Sequence, residues 1–190
     1  MRIFGLLGVL CLLSSPTFAD DAPFGLRWGA SADELKSHGI SGELRSDDGQ
    51  LRIFQINRLP KGPADTNFVT LAIDRKFGLQ RIQWVSQEIG NDPSGARGLS
   101  LYRTLKRTLL EQFGEPKSSD EEMIGNSTSG FYRCLAEDGC GAFVTVWRTP
   151  ETDARLRLMG SSAGNGWLDV VYLGPDWSDV EIEKHKKPQH

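Results

Sequence analysis

The chain has 190 residues, 38% of them hydrophobic and 25% charged, and a net charge of −3. That length suits one domain, or two small units sharing a core, and the apolar share argues against wholesale disorder. Weak acidity argues against nucleic acid as a partner, because general nucleic-acid binders are basic. Three His and three Cys leave little for a metal site.

The first segment reads as an export signal rather than as part of the fold. Met1-Arg2 is followed by an 11-residue apolar run, Ile3 to Leu13, and then by Ser14 to Ala19, with small residues at the −3 and −1 positions of a cleavage site after Ala19. As a helix the run reaches about 16 Å, where a bilayer core needs about 30 Å. Residues 1–19 are therefore expected to be cleaved in the periplasm. No later stretch is apolar enough for a transmembrane segment. Loss of Arg2 leaves 21 basic against 25 acidic residues, and loss of Cys11 leaves one pair, Cys134 and Cys140. In an exported chain that pair reads as a disulfide, worth about 2 kcal/mol across so short a loop.

The mature chain is expected to be one α+β domain over 20–177, followed by a charged, frayed tail over 178–190. Ser31 with Glu34 forms a capping box, and Gly39 is a stop, predicting a helix over about 32–38. Leu51 to Leu59 is β-rich and ends at Pro60. Period-two alternation over Val69 to Asp74 and Leu79 to Gln87 predicts a hairpin. Gly90 to Gly98 reads as a loop. Tyr102, Leu105, Leu109 and Phe113 make the apolar stripe of a helix over 99–113, stopped by Gly114 and Pro116. Polar Lys117 to Asn126 reads as a loop. Phe131 to Arg133 and Ala142 to Trp147 read as paired strands flanking the disulfide turn, followed by strands at 155–159 and 167–173. The order predicts two αβββ-like units, about 24–90 and 99–175, whose antiparallel sheets or helices pack together.

The opening Phe24-Gly-Leu-Arg-Trp-Gly-Ala-Ser-Ala-Asp-Glu-Leu resembles that of exported proteobacterial proteins beginning FGLxWGxSxxE, and the helix ending Phe113-Gly-Glu-Pro is similar too. The layout also resembles the β-lactamase inhibitor protein and the small lipoprotein of the outer-membrane assembly machine, although this chain has no lipobox. The resemblance implies helices beside an antiparallel sheet and binding to other proteins.

Candidate chemistry is sparse. Gly160-Ser161-Ser162-Ala163-Gly164 matches the G-x-S-x-G of a nucleophile elbow, but that motif needs a helix after the serine, and a strand is expected there. A Gly/Ser-rich hairpin loop is the competing and preferred reading. His38 suits a helix C-terminus. Asp47-Asp48-Gly49 and Asp120-Glu121-Glu122 lack the alternating ligands of a calcium loop. No phosphate or dinucleotide cofactor fingerprint is present. Arg103, Lys106 and Arg107, with Arg97 upstream, form a basic helix face that could meet an acidic partner or anionic polymer, or simply be solvated with Arg107 pairing to Glu111. Trp28, Trp84 and Trp147 fall in core patterns, whereas Trp167 and Trp177 border turns where a ring could anchor a partner. These readings favour a non-catalytic periplasmic binding protein, with an inhibitor or immunity-type protein of an envelope enzyme as its specific form. The alternative is an envelope-assembly accessory, and a small hydrolase using Ser162 ranks last.

Overall fold

A computed structural model describes residues 21–124 and 130–186. The signal segment 1–19 and its cleavage point lie outside the described residues, as does the end of the tail. The fold is α+β and is built on one eight-stranded antiparallel sheet. A short N-terminal ribbon, β1 (Asp21–Ala22) and β2 (Leu26–Arg27), precedes helix α1 (Ala32–Ser37). The Ser31 hydroxyl accepts from the Glu34 N–H at 3.1 Å, as the capping box requires. The Glu34 carboxylate turns instead to Arg27, which holds its pKa below the ordinary carboxylate value.

Four strands follow: β3 (Glu43–Asp47), β4 (Leu51–Ile56), β5 (Thr66–Asp74) and β6 (Gly78–Ser86). Helix α2 (Ala96–Phe113) opens the second half, which continues through β7 (Ser118–Met123), helix α3 (Phe131–Ala136), β8 (Gly141–Arg148), β9 (Asp153–Gly160), β10 (Gly166–Leu173) and helix α4 (Trp177–Lys186). The strand order is β3-β4-β5-β6-β10-β9-β8-β7. Each half is thus a four-strand meander, and the halves meet edge to edge at β6 and β10, with Val170 opposite Trp84 and Tyr172 opposite Ile82. The expected packing of one unit on another is replaced by a continuous sheet.

Two edge strands escaped the hydrophobic pattern. Every residue of β3 and of β7 is exposed, and β7 lies where a loop was expected. An edge strand needs only a backbone partner, and polar side chains there discourage pairing with other chains. Phe131–Arg133 corrects a second expectation: it begins a helix, not a strand. The helical turn buries Tyr132 and Cys134 against the sheet, and a disulfide ties Cys134 to Cys140 at the entrance of β8. The charged tail corrects a third, since residues 177–186 form α4. Its Val180 is buried with Leu51 and Ala72, and Glu183 accepts from Lys76 Nζ at 2.7 Å.

The core lies on one face of the sheet, here called the inner face, under α1, α2 and α3. Along β10, Leu168, Val170 and Tyr172 point into it. Trp28, Trp84 and Trp147 are all buried in this core, as their patterns predicted. The alternate side chains point to the outer face, where α4 buries Val180 against β4 and β5 and carries Trp177 and Glu181 to the border of the open stretch beyond.

Candidate functional site

Alternation along the central strands determines what the outer face displays. On β6 it presents Arg81, Gln83 and Val85; on β10, Trp167, Asp169, Val171 and Leu173; on β9, Asp153, Arg155 and Arg157. The registers place Gln83, Val171, Arg155 and Val146 in one row across four strands. The next rows carry Arg81, Leu173, Asp153 and Arg148 on one side, and Val85, Asp169, Arg157 and Val144 on the other.

A polar network runs across this surface. Asp169 is buried, and it accepts from Arg157 Nε at 2.9 Å on one oxygen and from Gln83 Nε2 at 2.6 Å on the other. Gln83 Oε1 in turn accepts from Arg81 Nη2 at 3.1 Å. Both oxygens of Asp169 are thereby engaged by these two neighbours. Arg81 keeps a buried Nε with no hydrogen-bond partner, and Arg155 makes no hydrogen bond or ion pair among the described residues. Partial desolvation lowers the Arg155 pKa first, then the charge of Arg157; Asp169 opposes this and Arg81 adds to it. A guanidinium stays charged under such pressure, so the face holds positive charge that its own carboxylates do not fully pair.

Two depressions of about 360 Å³ each are set into this face. One is bordered by Arg81, Arg155, Arg148, Val146 and Trp177, the other by Arg157, Met159, Phe68 and Trp167. The two tryptophans singled out as anchors are thus both partly exposed on the outer face, one in each depression.

The basic residues of α2 lie in the helix layer on the opposite side of the sheet. Arg103 and Arg107 are exposed there, whereas Lys106 pairs with Glu121 and donates to Ser119 at 2.9 Å. Arg97 donates to the Gly90 carbonyl at 2.8 Å and stitches the start of α2 to the preceding loop. The structure therefore does not join the candidate arginines and tryptophans into one site. Arg81, Arg155 and Arg157 were missed by sequence reasoning; the signal available was the alternation of arginine with leucine in Arg155-Leu-Arg-Leu, which puts both arginines on the face away from the core.

The other candidates are occupied by structural duties. Asp48 Oδ1 accepts from the Gln50 and Leu51 N–H groups, and Asp47 Oδ1 from the Gly49 N–H, so these carboxylates close the β3–β4 turn. His38 Nδ1 lies 2.9 Å from the Glu34 carbonyl at the end of α1. No cluster of metal-ligating side chains occurs among the described residues.

Ser162 lies in the β9–β10 hairpin loop, followed by a strand. Both glycines of its motif have backbone reasons. Gly164 has φ of +85°, and a Cβ on Gly160 would stand 1.8 Å from the Tyr132 carbonyl oxygen. Gly160 pairs with Gly166 across the hairpin, and a Cβ on Gly166 would meet the Tyr132 ring at 2.0 Å. The glycine-rich stretch is the slot that seats α3. Comparison with protein-family models, curated proteins and solved structures finds no match to this chain.

Proposed function

We propose that this chain is a non-catalytic binding protein of the cell envelope that docks a partner protein on the outer face of its sheet. The observation that carries the reading is that face itself: a central stretch of sheet left open by α4, with Trp167 and Trp177 partly exposed and two arginines incompletely paired. Aromatic rings and arginines at the centre of a surface are the side chains that dominate binding energies at interfaces. A surface built on a hydrogen-bonded eight-stranded sheet loses less entropy on binding than a loop would. The Cys134–Cys140 disulfide supports the same setting, because such bridges persist in oxidising compartments, and the resemblance to exported partner-binding proteins agrees with it. Within this class, an inhibitor or immunity-type protein of an envelope enzyme is preferred over an assembly accessory.

A photo-cross-linking amino acid placed singly at Met159, Val146 or Arg103 in exporting cells tests this. The first two positions are on the outer face, and the third is on the exposed side of α2. Discrete protein adducts are expected from Met159 and Val146 and none from Arg103. Adducts confined to Arg103, or none from any position, would overturn the assignment of the binding surface.

A further inference from the structure

We infer that the outer face recognises an acidic loop of its protein partner, taking one carboxylate between Arg81 and Arg155 with the flanking apolar side chains of that loop against Trp177 and Val146. This rests on the proposed use of the outer face for binding and adds the chemistry of the partner.

The arginines of this face are unequally paired. Arg157 has Asp169, and Arg148 has Asp153 at 2.9 Å. Arg81 and Arg155 line the same depression, and neither holds a carboxylate. They lie in adjacent rows, opposite Leu173 and Val171 of β10 respectively, so an anion entering the depression meets both. The unpartnered Nε of Arg81 is closed off inside the sheet, so an incoming carboxylate meets the outer Nη1 of that guanidinium, where a charged acceptor is worth more than a neutral one. The remaining carboxylate at this depression is Glu181 of α4, which is exposed and bonds neither arginine. It acts as an internal competitor for the place an incoming carboxylate would take.

Charge pattern favours a polypeptide over a polyanion. The face alternates in sign, with Asp153, Asp169, Glu88 and Glu181 among its arginines, so a run of phosphates would meet repulsion beside each attraction. Shape agrees. From Trp167 to Leu173 the strand covers about 20 Å at 3.4 Å per residue, a length that suits an extended loop rather than one small anion. Val144 and Val146, both half-buried, lie among the charges and offer apolar ground to the side chains around a single acid.

The test uses the purified, disulfide-intact protein labelled with ¹⁵N. The probe is a capped pentapeptide carrying one glutamate between leucine and phenylalanine, its glutamine counterpart is the control, and inorganic phosphate is the competitor. The Nε–H signals of Arg81 and Arg155 should move saturably with the glutamate peptide, and binding of the glutamine peptide should be at least about tenfold weaker. Arg155→Gln should weaken glutamate-peptide binding about tenfold, and Glu181→Gln should strengthen it severalfold. Both positions are exposed, and unchanged amide spectra elsewhere would establish that the variants fold.

Equal binding of the two peptides on the outer face would overturn carboxylate recognition while leaving the binding surface standing. Shifts confined to α2, or no binding at millimolar peptide, would overturn the inference, and shifts on α2 would count against the surface as well. Full displacement by equimolar phosphate would overturn the choice of a polypeptide occupant.

Discussion

Tyr132 shows how one side chain fixes its surroundings. Its ring lies across Gly166, its carbonyl lies against Gly160, and a Cβ on Gly98 of α2 would come within 2.2 Å of its hydroxyl. That hydroxyl donates to Asp92 Oδ2 at 2.7 Å, and the same oxygen accepts from the Gly98 N–H at 3.0 Å. Asp92 thereby satisfies an amide in the first turn of α2 that the helix cannot satisfy itself. Burial pushes the Asp92 carboxyl up, but the bonds from Gly98 and Tyr132, with Arg97 adding to them, leave it below its ordinary value of 3.8. Tyr132→Phe removes a donor from a buried acceptor and is expected to cost about 1–3 kcal/mol in urea unfolding. The acid dependence has a definite sign. A carboxyl whose folded pKa lies below the unfolded value adds stability that is fully present above about pH 4–5 and is lost as pH falls through the folded pKa. Asp92→Asn should therefore be less stable than wild type at neutral pH, with the gap narrowing as pH falls below 4 in parallel urea titrations.

Among the elements, α2 was the most legible in the sequence, and its stripe divides once the structure is known. Leu109 is buried at 1% exposure, whereas Leu105 and Phe113 are only partly covered. Leu109→Ala should cost about 2–5 kcal/mol, and Leu105→Ala clearly less, as chemical denaturation would measure; equal losses would mean that both leucines are core. The central hairpin, β5 with β6, was legible for the same reason, because burial on one face imposes period two on Val69, Leu71, Ile73, Ile82 and Trp84. Elements held by backbone pairing or by one or two contacts left no such trace. Strands β3 and β7 show no apolar alternation because they bury nothing, and α4 hides two apolar contacts, Trp177 and Val180, among charges. The binding face was illegible for a related reason. Periodicity separates inward from outward positions, but it does not tell which outward arginines a third strand will bring beside an acid and which it will leave without one.

At the scale of the molecule, the terminal pieces cross over. The N-terminal segment of the first half bonds into the second, with Trp28 Nε1 donating to Thr152 at 3.1 Å and the Phe24 ring edge-on to Tyr172 at 5.5 Å. The last helix of the second half returns to the first, placing Val180 on Leu51 and Ala72 and bonding Glu183 to Lys76 and Gln50. Between these crossings β6 and β10 zip the two meanders into one sheet. Either half alone would therefore expose the inner edge of its central strand as an unpaired row of N–H and C=O groups, which is the hazard that β3 and β7 avoid with charge. The first half would also lose α4 from its outer face, and the second half would lose the Trp28 and Phe24 contacts on Thr152 and Tyr172. The two halves are expected to be interdependent, unfolding in one transition with coincident curves by tryptophan fluorescence and far-ultraviolet circular dichroism. A sharper test divides the chain in the Gln87–Pro93 connection and produces the halves separately and together. Separately, neither half should show a cooperative thermal transition; together, they should restore the dispersed amide spectrum of the intact protein. A cooperative melt from either isolated half would show that the meander is a domain in its own right and that the shared sheet is an association of two finished units.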